Sequence, residues 1–201
     1  MSRASRDFHP IPAAFFDRPA ESVARDLLGG VLISTIGGEE TVGRIVEAEA
    51  YIGPHDPASH AAERIGRTAR NASMFGPPGI AYVYRIYGLH WCLNVVTGPE
   101  GYPAAVLIRA LEPLAGIETM RRRRRLRSDR ELTSGPARLA EALGITGALD
   151  GHPLQEPPLV LAAGEPVPDE AVAVGPRIGV TRAADWPLRF HVRGNAWVSR
   201  P

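Results

Sequence analysis

The chain has 201 residues and no lysine, since all 23 of its Lys-plus-Arg positions are arginine. That absence excludes a Walker A phosphate loop, a pyridoxal phosphate Schiff base and a lysine amine that attacks a deoxyribose C1′. Cysteine is nearly absent too. Cys92 alone cannot form an internal disulfide, nor a Cys-rich zinc or iron-sulfur cluster. No run approaches the ~20 apolar residues of a membrane span. The opening Met-Ser-Arg-Ala-Ser-Arg-Asp lacks the apolar core of a secretory signal, so the expectation is a cytoplasmic protein with no membrane contact. A formal net charge of +1 gives no bulk attraction to a polyanion. Any nucleic-acid surface must come from local clusters, for which the bidentate arginine fork is suited.

A hydrophobic content of 44% supports one substantial core, and the expectation is one domain over 1–201, with 1–14 a loosely ordered extension. The 21 glycines and 19 prolines divide the chain into short mixed α and β segments. Ser22 to Leu28 reads as a helix stopped by Gly29-Gly30. Val31 to Ile36 then turns through Gly37-Gly38 into a strand from Thr41 to Tyr51. Asp56-Pro57 suits the cap and first residue of a short helix carrying His60. Ile80 to Tyr87 and Trp91 to Thr97 read as a hairpin turning at Gly88, Leu89 and His90. Ala104 to Leu111 reads as a strand, Pro113 to Arg124 as a helix ending in cations, and Ser134 to Leu143 as a helix stopped by Gly144. Long connections around a short strand, Leu159 to Ala163, fill 151–175, with strands near Ile178 and from Leu188 to Val192.

Chemistry concentrates between Val46 and Asn94. Residues two apart in a strand share a face, so Glu47, Glu49 and Tyr51 point together while Val46, Ala48 and Ala50 point the other way. Carboxylates move protons and aromatics stack on planar ligands. With His60, Tyr82, Tyr84 and Tyr87 added, the set suits work on a nucleobase. Each element also has a plainer reading: a solvated glutamate face, half-buried sheet tyrosines, a hydrogen-bonding surface histidine. Strand geometry treats Glu47 and Glu49 alike. Tyr87 beside Gly88 at a hairpin tip is harder to read as core and favours a partner. The run Arg121 to Arg125 reads either as a solvated helix end or as a phosphate contact.

The strings VEAEAYIGPHDPASHA, RNASMFGPPGIAYVYRIYGLHWCLNV, VLIRALEPLAGIETMRRRR, DRELTSGPARLAEALGI and PLRFHVRGNAWVS resemble, in order and over nearly the whole chain, the alkyladenine (3-methyladenine) DNA glycosylase family. This is the animal and bacterial type, not the helix-hairpin-helix type. The resemblance implies a mixed α/β domain with a curved antiparallel sheet, surrounding helices, a protruding DNA-intercalating hairpin and no cofactor or metal. It implies a monomeric, monofunctional base-excision enzyme whose partner is double-stranded DNA with damaged purines. By the same resemblance Glu49 would be the catalytic acid, and Arg109 would help place the water. Tyr51, His60 and Tyr84 would surround the extruded base, and Asn94 would screen its exocyclic groups. Tyr87 would intercalate. Leu89, His90, Arg121 and Arg122 would add DNA contacts. His90 departs from the relatives, which place a tyrosine against the minor groove.

On that reading, 3-methyladenine, 7-methylguanine, hypoxanthine or ethenoadenine leaves the stack, Tyr87 fills the hole, and Glu49 readies a water for C1′. A neutral base such as hypoxanthine would need a donor, for which His60 is the candidate. The requirement is that the Glu49 oxygen face a groove that a nucleotide can enter. Two rival classes are a binding module of similar fold and an O-glycoside hydrolase using both glutamates. Carboxylates ~6.5 Å apart on one strand face cannot flank a sugar from opposite sides.

Overall fold

The strand expected from Thr41 to Tyr51 is the spine of the molecule. In the computed structural model, which describes residues 8–125 and 129–200 (the Arg130 side chain excepted), this strand pairs with three others, all antiparallel. Calling Val31–Ser34 β1 and Thr41–Tyr51 β2, the rest of the sheet is β3 (Ala81–Ile86), β4 (His90–Thr97), β5 (Ala104–Ala115), β6 (Leu159–Ala162), β7 (Val172–Gly175) and β8 (Arg189–Val192). Its order is β3-β4-β5-β2-β1-β6, with β8 joining β2 and β7. One edge of β2 thus serves β1 with its first half and β8 with its second, which curls the sheet.

Helices α1 (Ala13–Phe16), α2 (Ala20–Asp26), α3 (Ile117–Arg124) and α4 (Pro136–Leu143) cover this sheet. Helix α2 turns Ala20, Val23 and Ala24 inward, and they join Ile45, Ala48 and Ala50 of β2 and Val106, Ile108 and Leu111 of β5 in the main core. Full burial of a Leu, Ile or Val side chain contributes about 1.5–3 kcal/mol. Register shifts on either side of Glu47 form a bulge, so Ile45 rather than Val46 shares the core face with Ala48 and Ala50. Among the described residues no helix is long and apolar enough to cross a membrane.

Several expectations need correction. The helix expected from Pro113 begins only at Ile117, because Glu112 to Ala115 continue β5 against Arg44, Gly43 and Val42. Pro113 sits at a register shift where the ladder is already interrupted. No helix carries His60. Successive backbone turns from Asp56 to Ser59, Ser59 to Ala62 and Ala62 to Ile65 run there, and the Asn71 amide takes the His60 carbonyl that a helix would need. The segment at Ile178 is irregular, since its N–H goes to a side chain rather than to a strand. Val172–Gly175 forms a further strand inside the expected 151–175 connection. Of the expected loose extension, 1–7 lie outside the described residues, whereas Ile11 is buried and its N–H donates to the Leu161 carbonyl at 2.9 Å.

Candidate active site

A cavity of about 430 Å³ lies where the end of β2, the turns around His60, the β3–β4 hairpin, β5 and residues 178–182 meet. That volume is within the range of small-ligand pockets. Tyr51, His60, Tyr84, Asn94, Arg109 and Tyr87 all contribute to its walls, so most of the residues singled out in the sequence converge.

The aromatic wall is built by alternation. Tyr82 and Tyr84 occupy one face of β3 and stack with ring centroids 5.4 Å apart, while His60 meets Tyr84 edge-on at 4.4 Å. The Tyr82 hydroxyl lies 2.8 Å from His60 Nδ1 and fixes the ring. Burial, with Arg70 nearby, pushes the His60 pKa down, so the imidazole is neutral at neutral pH. Asn94 donates from Nδ2 to the Tyr82 carbonyl at 3.1 Å, which holds its amide at the back of the pocket. Burial raises the Tyr51 and Tyr84 hydroxyls well above the usual tyrosine range, so both remain neutral donors. After Tyr51 the chain turns sharply at Gly53, where φ is +118° and an added Cβ would come within 2.3 Å of the Tyr102 hydroxyl.

Glu47 and Glu49 both reach Arg109, Glu47 Oε1 at 3.1 Å from Nε and Glu49 Oε1 at 3.2 Å from Nη1. Glu47 is further held by Arg189 Nε at 2.7 Å, the Ser199 N–H at 2.7 Å and the Ser199 hydroxyl at 2.9 Å. Burial pulls its pKa up, but the Ser199 N–H, Arg109 and Arg189 together outweigh it and hold the carboxyl below the ordinary glutamate value. Glu49 has fewer donors: the Ile178 N–H at 2.7 Å, the Tyr51 hydroxyl at 3.1 Å and Arg109. For it burial wins over Arg109, the Ile178 N–H and Tyr51, and the pKa lies above the ordinary value. Glu47 adds to that rise.

One expectation about Glu49 is not met. Its carboxylate is 0% exposed and does not open on the groove. The reason is that Tyr51, Arg109 and Ile178 each spend a donor on it. All three also line the cavity whereas Glu49 does not, so its carboxylate sits one layer behind the pocket wall.

The hairpin ends in a turn at Tyr87, Gly88 and Leu89, one residue earlier than expected. Tyr87 and Gly88 have φ of 53° and 68°, both left-handed, and the Leu89 N–H donates to the Ile86 carbonyl at 3.1 Å. Tyrosine is an unfavourable residue at such a φ, and Tyr87 is 86% exposed, with Leu89 at 71% and His90 also in solvent. Arg121 and Arg122 are not free cations. Arg121 grips Asp129 at 2.6 Å and pairs with Glu118, and Arg122 pairs with Glu39. Arg64, Arg70, Arg85 and Arg182 are exposed instead; Arg64 and Arg182 line the cavity mouth, and Arg70 donates to the Arg85 carbonyl on the hairpin at 3.0 Å. Sequence reasoning assigns none of these four a role, and nothing in their local pattern distinguishes them from surface arginines.

The fold and pocket define a protein with an aromatic-walled cavity in front of a buried carboxylate. Residues 14–196 match the family described as methylpurine-DNA glycosylase (MPG). A protein of Rhodopseudomonas palustris strain HaA2 is 51% identical over 96% of this chain and 91% of its own length, and carries the provisional name 3-methyladenine DNA glycosylase. Proteins of Methanoculleus marisnigri and Myxococcus xanthus, with the same provisional name, are each 50% identical over 94% of this chain and cover 98% and 93% of their own lengths. The chain belongs to the methylpurine-DNA glycosylase family.

Proposed function

We propose that this protein is a monofunctional DNA glycosylase that extrudes alkylated or deaminated purines from duplex DNA and hydrolyses the N-glycosidic bond, leaving a free base and an abasic site. The observation that carries the reading is a glutamate of raised pKa directly behind a tyrosine- and histidine-walled pocket, beside an exposed tyrosine on a left-handed turn. In this reading the Tyr51 hydroxyl moves off Glu49 when the base enters, and a water takes its place. The ionised Glu49 takes a proton from that water, the water oxygen bonds to C1′, and the bonding pair of the broken C1′–N bond leaves with the purine. Positive charge develops on the sugar in the transition state, and Glu49 offsets it. Arg109 orients the carboxylate. An alkylated, cationic purine gains about 0.5–2 kcal/mol from aromatic faces that an undamaged purine lacks. A neutral purine would rely on the neutral His60 ring as donor. Extrusion costs a few kcal/mol, and Tyr87 occupying the gap offsets it.

Phosphate contact is assigned to Arg64, Arg70, Arg85 and Arg182, around the pocket mouth and hairpin, ahead of Arg121 and Arg122, whose charges are spent on acids. With no lysine in the chain, strand cleavage through a lysine Schiff base is excluded. The full burial of Glu49 favours one rival, a binder of the same fold that excises nothing. Incubation with methylated duplex DNA, followed by chromatography of released bases and alkali treatment, separates the two. Free methylpurine and alkali-dependent breaks support the glycosylase, and binding without release supports the module.

A further inference from the structure

Behind the pocket a second buried ion pair stands apart from the glutamates. Arg177 donates to Asp56 through Nη1 at 2.5 Å and Nη2 at 2.9 Å, and both side chains are fully buried. The same Nη1 donates to the Ala50 carbonyl at 3.0 Å, and the guanidinium lies 4.7 Å from the centre of the Tyr51 ring. Asp56 in turn accepts the Ala58 N–H at 3.0 Å, two residues before His60. A buried pair of this kind is weak evidence for stability, because well-packed apolar side chains serve as well or better. This one is not optimised for satisfaction either: Arg177 Nε is buried without a hydrogen-bond partner. What its bonds do is join three separate pocket segments, the end of β2, the turns before His60 and residues 177–182.

We infer that Asp56 and Arg177 are positioning residues that clamp the irregular segment after β7 onto β2, so that the backbone N–H of Ile178 is held against the Glu49 carboxylate. The inference rests on the proposed role of Glu49 as the base. Residues 176–185 belong to no helix or strand, so the Arg177 side chain and the adjacent Ile178 N–H are what tie this part of the pocket wall to the sheet. The clamp acts in two ways. It keeps one face of Tyr51 covered by a planar cation, and it supplies Glu49 with a fixed donor that favours the anion. The charged and titratable groups around Glu49 are Glu47 and Tyr51 on β2, Arg109 on β5 and Arg177 itself, while Arg189 on β8 is turned to Glu47. Loosening the clamp at Arg177 therefore moves the ionisation of Glu49 upward without altering a side chain that lines the cavity.

The test is single-turnover base release from methylated duplex DNA as a function of pH and enzyme concentration, for the parent, Arg177→Lys, Ile178→Pro and Glu49→Gln, with thermal melting of each. Arg177→Lys keeps the charge but not the two-pronged grip, and Ile178→Pro deletes the donor while leaving the ion pair intact. Both are expected to lower the maximal rate tenfold or more, to change half-saturation less than threefold, and to shift the acidic limb of the rate profile to higher pH. A folded Arg177→Lys with the parent's rate and acidic limb would overturn the clamp. Should Arg177→Lys not fold, a parent-like limb in Ile178→Pro overturns it in the same way. Full base release by Glu49→Gln would instead remove the proposed base, a failure distinguishable from the first because it does not depend on either clamp variant.

Discussion

Glu47 and Glu49 stand two residues apart on β2 and bond to the same guanidinium, that of Arg109, yet their carboxyls are shifted in opposite directions. The difference lies in the remaining partners. Glu47 has Arg189 and two donors from Ser199, enough to outweigh burial, whereas Glu49 has one backbone N–H and one phenol. The strand thus carries one carboxyl held as an anion by its partners and one whose ionisation burial opposes. Glu47→Gln is expected to destabilise the protein by about 3–5 kcal/mol, because Arg109 and Arg189 lose the charge that offsets their burial. Urea unfolding at neutral pH measures this. An unchanged midpoint would deny Glu47 its anchoring role.

Glu49 has the reverse effect on stability. Its folded pKa lies above the ordinary 4.5, so its contribution is fully present below that value and is lost as pH rises through the folded pKa. Above its folded pKa the parent carries a buried anion, and there Glu49→Gln is expected to melt at the same or a higher temperature. The gap should close on acidification below 4.5, where the parent carboxyl is protonated and resembles the amide. A Glu49→Gln protein less stable than the parent at pH 8 and equal to it at pH 4 would contradict the direction of the shift.

On the proposed function Tyr87 acts only once DNA is bound. Because the ring is 86% exposed, Tyr87→Ser should leave the melting temperature within a degree or so, on the order of a surface substitution. Loss of an aromatic that stacks in DNA costs about 1–3 kcal/mol, or roughly tenfold or more in affinity for duplex carrying an abasic site. Fluorescence anisotropy with a labelled duplex gives the answer, and equal affinities would dismiss the wedge.

Salt dependence separates the arginines. Removing one side chain that neutralises a phosphate should lower the slope of log affinity against log salt by about one, so Arg64→Ala and Arg182→Ala are each expected to flatten it. Arg122→Ala should leave the slope unchanged, since that side chain is paired with Glu39. Affinity titrations between low and moderate salt compare the three. A flattened slope for Arg122→Ala alone would return the phosphate contact to α3.

Much of this architecture is legible in the chain where local chemistry and fold agree. The Gly37-Gly38 turn announces the start of β2, Gly144 ends α4 in a left-handed cap, and Gly88 marks the hairpin turn to within one residue. The failures have one cause in common, a distant side chain or strand that overrides a local preference. Asp56-Pro57 resembles a helix start, but Asn71 takes the carbonyl of His60 and Arg177 engages Asp56. Pro113 to Ala115 read as the start of a helix, but β2 offers them a ladder. For the site, the strand period places Glu47 and Glu49 together, and only their long-range partners Ser199, Arg189 and Ile178 distinguish them. Those partners lie more than 120 residues away, and nothing near the glutamates signals them. The same separation along the chain hides the bond from Arg177 to Asp56.

In the proposed reaction an anionic Glu49 readies the water that releases the purine. The most direct test of that step is Glu49→Gln in single-turnover reactions with methylated duplex DNA, alongside binding to the same duplex. The expected result is base release slowed by about 10²- to 10⁴-fold with affinity within a few-fold of the parent. Base release at the parent's rate by a protein that binds equally well would contradict it.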